Sequence, residues 1–161
     1  MKALSIRQPW AWLVVNGWKN IENRECRFSH RGPLLIHAAS WMTQADYDAC
    51  RIFVDGICDD LAMPAPGDLE RGGIVGEVVV IDCVASHSSS WFTGPFGLVL
   101  DEACACPKIP WRGMPGLFEV PIQSLEDGPL PYQKAFISQE LPLVTHKGRR
   151  CDNNQRKDGE Q

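Results

Sequence analysis

The run IVGEVVVIDCVA at residues 74–85 decides more about this chain than any other stretch. Valine and isoleucine branch at Cβ and pack best on a pleated surface. A segment so rich in them, followed by the serine-rich HSSSW, predicts a strand long enough to cross a barrel. It is too short for a membrane span, which needs about 20 apolar residues, and nothing else in the chain comes closer. The N-terminal MKALSIRQPW alternates where a secretory signal would be continuously apolar, so the expectation is a cytoplasmic protein with no membrane partner.

Other strands and helices fall around that run. Leu4 and Ile6 alternate with Ser5 and Arg7 as a short strand, and Gln8-Pro9 then switches the pattern to a helix over about 9–16, closed by Gly17. Residues 18–24, WKNIENR, read as a turn or extended piece. Gly32-Pro33 turns the chain into the buried strand LLIHAA, and Thr43 caps a helix over 43–55. Residues 59–73 are a Pro- and Gly-rich loop, 96–100 a strand, CPKIPWRG an irregular edge or hairpin arm, and 116–121 a last strand. Short strands with two or three inserted helices make an α+β mixed β-barrel. Residues 1–121 form the domain, 122–145 an extension beside it, and 146–161, almost without apolar side chains, a disordered tail.

Overall composition excludes more than it identifies. With 161 residues and a hydrophobic fraction of 44%, the chain can bury one core and is not disordered as a whole. Seven cysteines in a cytoplasmic protein predict reduced thiols, and without a Cys-x-x-Cys pair there is no metal site and no cofactor to expect. The net charge of −4 is unevenly spread: residues 1–40 carry +4, 41–144 carry −10, and the remainder +2. A basic first quarter on an acidic body favours one anion-binding face.

Ser5-Ile6-Arg7-Gln8-Pro9-Trp10-Ala11, followed by Gly17-x-Lys19-x-x-Glu22-x-Arg24, resembles the signature of ASCH domains. The likeness continues through Arg31–Ala38, the 74–84 strand and Trp111-x-Gly113-x-x-Gly116-Leu117-Phe118. This resemblance implies a PUA-like barrel whose cleft is lined by the Lys19–Arg24 segment and the first strand-helix junction. It also implies RNA or DNA as partner, or a free nucleoside or nucleotide. A small bacterial branch of the family hydrolyses acetylated cytidine, and some members are ribonucleases. The hydrolase branch carries threonine three residues after its lysine, where this chain has Glu22.

Three side-chain types within six residues admit several chemistries. As a binding site, Arg7 and Arg24 hold phosphate or carbonyl oxygens by their planar donor forks, and Glu22 orients one of them or accepts from an exocyclic amine. As a catalytic site, Lys19 and Glu22 would be base, nucleophile or proton relay. As structure alone, Glu22 and Arg24 would be an ion pair tying the first helix to the barrel. Gln8 and Trp10 join the binding candidates from the junction, with Trp10 either core or a stacking surface. Trp12, Trp41 and Trp91 are further stacking candidates, and the Trp- and Pro-rich stretch 91–115 is the place for a protein partner. His37 and Glu77 complete the candidate set: His37 is ligand-binding or a satisfied interior histidine, Glu77 faces the cleft or solvent.

Overall fold

The computed structural model describes residues 1–121. Six strands and two helices follow one another as β1 (Lys2–Ile6), α1 (Trp10–Val15), β2 (Ile21–Arg24), β3 (Gly32–Ala38), α2 (Gln44–Asp55), β4 (Gly73–Val84), β5 (Phe96–Pro110) and β6 (Leu117–Glu119). The strands form one mixed sheet in the order β2-β5-β4-β3-β1-β6. Only β1 and β3 run parallel; every other pair is antiparallel. The sheet curls into a half-barrel, an α+β barrel-like fold of the kind the strand pattern predicts.

The 74–85 run becomes most of β4, which is hydrogen-bonded on both sides. Its partner β5 differs from the sequence reading. Residues 96–100 and the CPKIP segment form one 15-residue strand, and three register shifts against β4 absorb the residues that break its alternation. The 18–24 segment resolves into a turn, in which the Trp18 and Lys19 amides donate to the Leu13 carbonyl, and then β2.

Helix α1 is held between two layers. Ala11, Val14 and Val15 join Leu4, Ile6, Leu34, Ile36 and Val78 in the core under the sheet, while Leu13 packs with Cys50 and Val54 of α2. Buried Tyr47, Cys50 and Val54 recur at helical spacing along α2, whose start is fixed by a capping box between Thr43 and Asp46. Gly76 explains why a strong strand carries a glycine at its middle. A Cβ there would lie 2.7 Å from the Val15 side chain and 2.4 Å from the Cys104 carbonyl oxygen. Helix and sheet meet with no room for a side chain between them. A second, smaller core on the other side of the sheet gathers Ala3, Leu35, Ile74, Ile109, Phe118 and Val120.

Cys26, Cys50, Cys83, Cys104 and Cys106 are free thiols, and burial pushes the Cys50 and Cys106 thiols up to about 12, where they act as small apolar side chains. Among the described residues no helix is long and apolar enough to cross a membrane, and no cluster of three His, Cys, Asp or Glu could hold a metal ion. The expected extension at 122–145 and tail at 146–161 lie outside the described residues.

Candidate nucleic-acid interface

Curling of the sheet brings the C-terminal end of β1 and the strand β2, far apart in the sheet order, to one cavity of about 520 Å³. That volume lies within the roughly 300–1,000 Å³ typical of ligand sites. Lys19, Glu22, Asn23 and Arg24 line it from the β2 side, and Ser5 to Gln8 with Trp10 from the β1–α1 junction. Asp46 and Phe53 of α2 and Trp91 and Thr93 of the β4–β5 loop complete the walls.

Its floor is a chain of charges. The Lys19 ammonium, 4% exposed, donates to Glu22 Oε2 at 2.7 Å and to the Ile21 carbonyl. Glu22 Oε1 meets Arg24 Nη1 at 3.5 Å, and the Arg24 guanidinium lies over the Phe28 ring at 5.4 Å. One carboxylate thus bridges two cations. Glu22 and Arg24 share a face because they are two residues apart on a strand, whereas Lys19 joins them through the turn at Gly17, whose φ is +75°. Removing charged groups from water is costly unless each is paired and hydrogen-bonded, and here Lys19 and Glu22 satisfy that condition. With Arg7 and Asp46 added, the cavity holds three cations against two carboxylates, so its positive excess is small.

Aromatic walls stand around this floor. The Lys19 ammonium is 5.9 Å from the Trp10 ring, Trp10 packs edge-on against Phe53 at 5.7 Å, and Phe53 meets Trp91 at 5.9 Å. Trp91 is buried, so the 91–115 stretch turns its first tryptophan inward. Asn23 fixes the loop that carries it. Its amide nitrogen donates to the Trp91 carbonyl at 2.8 Å, and its oxygen accepts from the Thr93 and Gly94 amides.

Gln8 is committed to the scaffold at both ends of its amide. It accepts from the Trp12 amide at 2.9 Å, capping α1, and donates to the Glu70 carbonyl at 2.8 Å. Arg7 is half exposed at the rim and pairs with Asp46 at 3.3 Å. His37 and Glu77 do not line the cavity. His37 is fully buried, with Ser5 Oγ 3.1 Å from Nδ1 and the Trp111 carbonyl 2.9 Å from Nε2. A carbonyl only accepts, so Nε2 carries the proton and Ser5 donates to Nδ1. Glu77 pairs in register with Cys104, on the face of β4 away from α1, and desolvation with Glu102 nearby raises its carboxyl above the usual range.

Several lining residues are not legible as site residues in the sequence, Asn23, Phe53 and Asp46 among them. Asn23 sits unremarked between Glu22 and Arg24, Phe53 reads as helix core, and Asp46 reads as a helix cap. Only Asn23 carries a usable hint, since an inward-turned polar residue in a short strand beside two charges needs partners.

The fold is that of an ASCH domain. The ASCH domain profile matches residues 4–121, and the chain belongs to that family. Activating signal cointegrator 1 of Homo sapiens is 33% identical over 90 residues, 51% of this chain but 14% of the human protein's length. A crystal structure of a mutant ASCH protein from Zymomonas mobilis is similar at a TM-score of 0.49 and 12% identity, covering 77% of this chain and 94% of that one.

Proposed function

We propose that this ASCH domain binds nucleic acid, RNA in the first instance, by taking one nucleotide unit into the cavity. The observation that carries this reading is the Lys19–Glu22–Arg24 floor inside aromatic walls. Every base has a π-face that can lie against Trp10, Phe53 or Trp91, and a polar edge that can meet the floor. Arg24 has donors beyond the one turned to Glu22, and Arg7 supplies a second guanidinium at the rim. Phosphate contact from these arginines releases counterions, so affinity falls as salt rises.

The test is a titration of short RNA and DNA at two salt concentrations. Salt-sensitive binding of RNA is the expected result, and failure of both to bind at low salt sinks the proposal.

A second reading, an amidohydrolase acting on acetylated cytidine, has the buried Lys19–Glu22 contact in its favour, because a nucleophile or base is activated by a partner within hydrogen-bond reach. Two of the three ammonium donors are already spent on Glu22 and Ile21, which favours the binding reading. Turnover of acetylated cytidine by the pure protein, lost in a folded Lys19→Ala variant, would reverse that preference.

A further inference from the structure

At the rim of the cavity, the N-terminus of α2 builds a device that the binding floor does not need. Trp41 stands two residues before the Thr43 cap and is 60% exposed, the most exposed aromatic side chain among the large hydrophobic residues on the described surface. The Arg7 guanidinium lies 5.6 Å from the centre of its ring. Arg7 in turn is held by Asp46, whose Oδ1 accepts from it at 3.3 Å. The other oxygen of Asp46, Oδ2, accepts from the Thr43 amide and hydroxyl at 2.9 and 2.8 Å. These hydrogen bonds hold the Asp46 carboxyl below the usual carboxylate range, with Arg7 adding to the effect.

The order of causes runs outward. The capping box fixes Asp46, Asp46 fixes one N–H of Arg7, and Arg7 is placed over Trp41. Arg7 also lines the cavity, so it joins the interior to the exposed indole. An indole pinned on one side by a cation offers its remaining exposed surface to an aromatic ligand. A free mononucleotide in the cavity has no second base to place there. A duplex keeps its bases stacked inside the helix and has none to spare. The ligand that uses both features is a single strand, with one base in the cavity and the next outside it.

We infer that Trp41 is a second base-stacking position, making the site specific for single-stranded RNA over mononucleotides and duplexes, with Arg7 contacting the phosphate between the two bases. This rests on the nucleic-acid reading of the cavity.

The experiment compares wild type, Trp41→Ala and Trp41→Phe for binding of a single-stranded RNA hexamer, adenosine monophosphate and a blunt RNA duplex, by calorimetry at low salt. Circular dichroism confirms that each variant is folded, as an exposed position allows. The expected result is a loss of at least about fivefold in hexamer affinity for Trp41→Ala. Trp41→Phe keeps most of the affinity, monophosphate affinity does not change, and the duplex binds more weakly than the hexamer. An unchanged hexamer affinity in Trp41→Ala overturns the inference while leaving the cavity reading intact. So does an equal loss for hexamer and monophosphate, or a duplex that binds as tightly as the strand. A wild-type protein that binds none of the three overturns both readings together.

Discussion

Two buried polar clusters lie within one small domain, and they are built for different ends. The Ser5–His37–Trp111 chain is closed at the imidazole: each ring nitrogen has one partner and the backbone at Gly113 lies directly against it, so only Ser5, at one end, reaches the cavity wall. The Lys19–Glu22–Arg24 chain is open on one side, because it forms the floor of a cavity and ends on a partly exposed arginine. Both clusters obey the rule that buried polar groups find partners. The difference lies in what stands beside them. A satisfied cluster sealed by backbone stabilises the fold, and one that borders open space has donors left for a ligand.

The largest expected effect is on the open cluster's internal balance. Glu22→Ala leaves the Lys19 ammonium buried with the Ile21 carbonyl as its remaining hydrogen-bond partner and no counter-charge, and loss of one partner from a buried pair costs about 3–5 kcal/mol. Urea denaturation should show that loss, while replacing both residues with apolar ones of similar size should restore much of it. A Glu22→Ala protein as stable as wild type would mean that the floor is wet and weakly coupled.

Gly113→Ala attacks the closed cluster. The added Cβ would lie 2.5 Å from His37 Cε1 and 2.7 Å from Ser5 Oγ, and overpacking of this sort costs about 1–3 kcal/mol. The melting temperature should fall while RNA affinity, measured where the protein is folded, stays constant. A change in affinity would erase the distinction between the two clusters.

Arg24→Ala should do the reverse. Affinity for single-stranded RNA is expected to drop about tenfold, the scale of one charge-assisted hydrogen bond, and the salt dependence to ease by roughly 0.7 in log–log slope. Stability should change little, since the side chain is partly exposed and its pairing with Glu22 is the longer of the two.

The smallest effect concerns Glu77, a sequence-derived candidate that belongs to neither cluster. Its carboxyl is raised in the fold, so the protonated form suits the folded state, and the stability it contributes is present in acid and lost as pH rises through the folded value. Glu77→Gln should therefore melt higher than wild type at neutral pH, with the gap closing towards pH values below the ordinary glutamate range. A gap that persists in acid would assign the effect to packing.

Much of the architecture could be read from residues because it depends on local pattern. Valine and isoleucine at 75–81 demand a strand, Thr43 with Asp46 three residues on starts a helix, and Gly17 ends one. The single long β5 could not be read, because bulges are set by the partner strand and not by the alternation of the strand itself. The Lys19–Arg24 spacing already groups the charged residues that meet on one side of the cavity. Its walls are legible only in part: Trp10 and Trp91 read as stacking candidates, whereas Phe53 reads as helix core, because only the curling of the sheet brings it to the cavity. His37 is open to two readings, ligand contact or satisfied interior histidine, because its two partners, one 32 and one 74 residues away, cannot be read from its own strand.

Helix α1 rests on β4 at Gly76 with no side chain between them, and its first residue, Trp10, is a wall of the cavity. A helix seated on backbone has no soft layer on which to slide. On the binding reading, the wall at Trp10 should keep its position when a ligand arrives, and association should run as one fast phase whose rate grows in proportion to ligand concentration. Gly76→Ala, by lifting the helix, would turn that rigid wall into a moving one and bring a slow, concentration-independent step into the binding record.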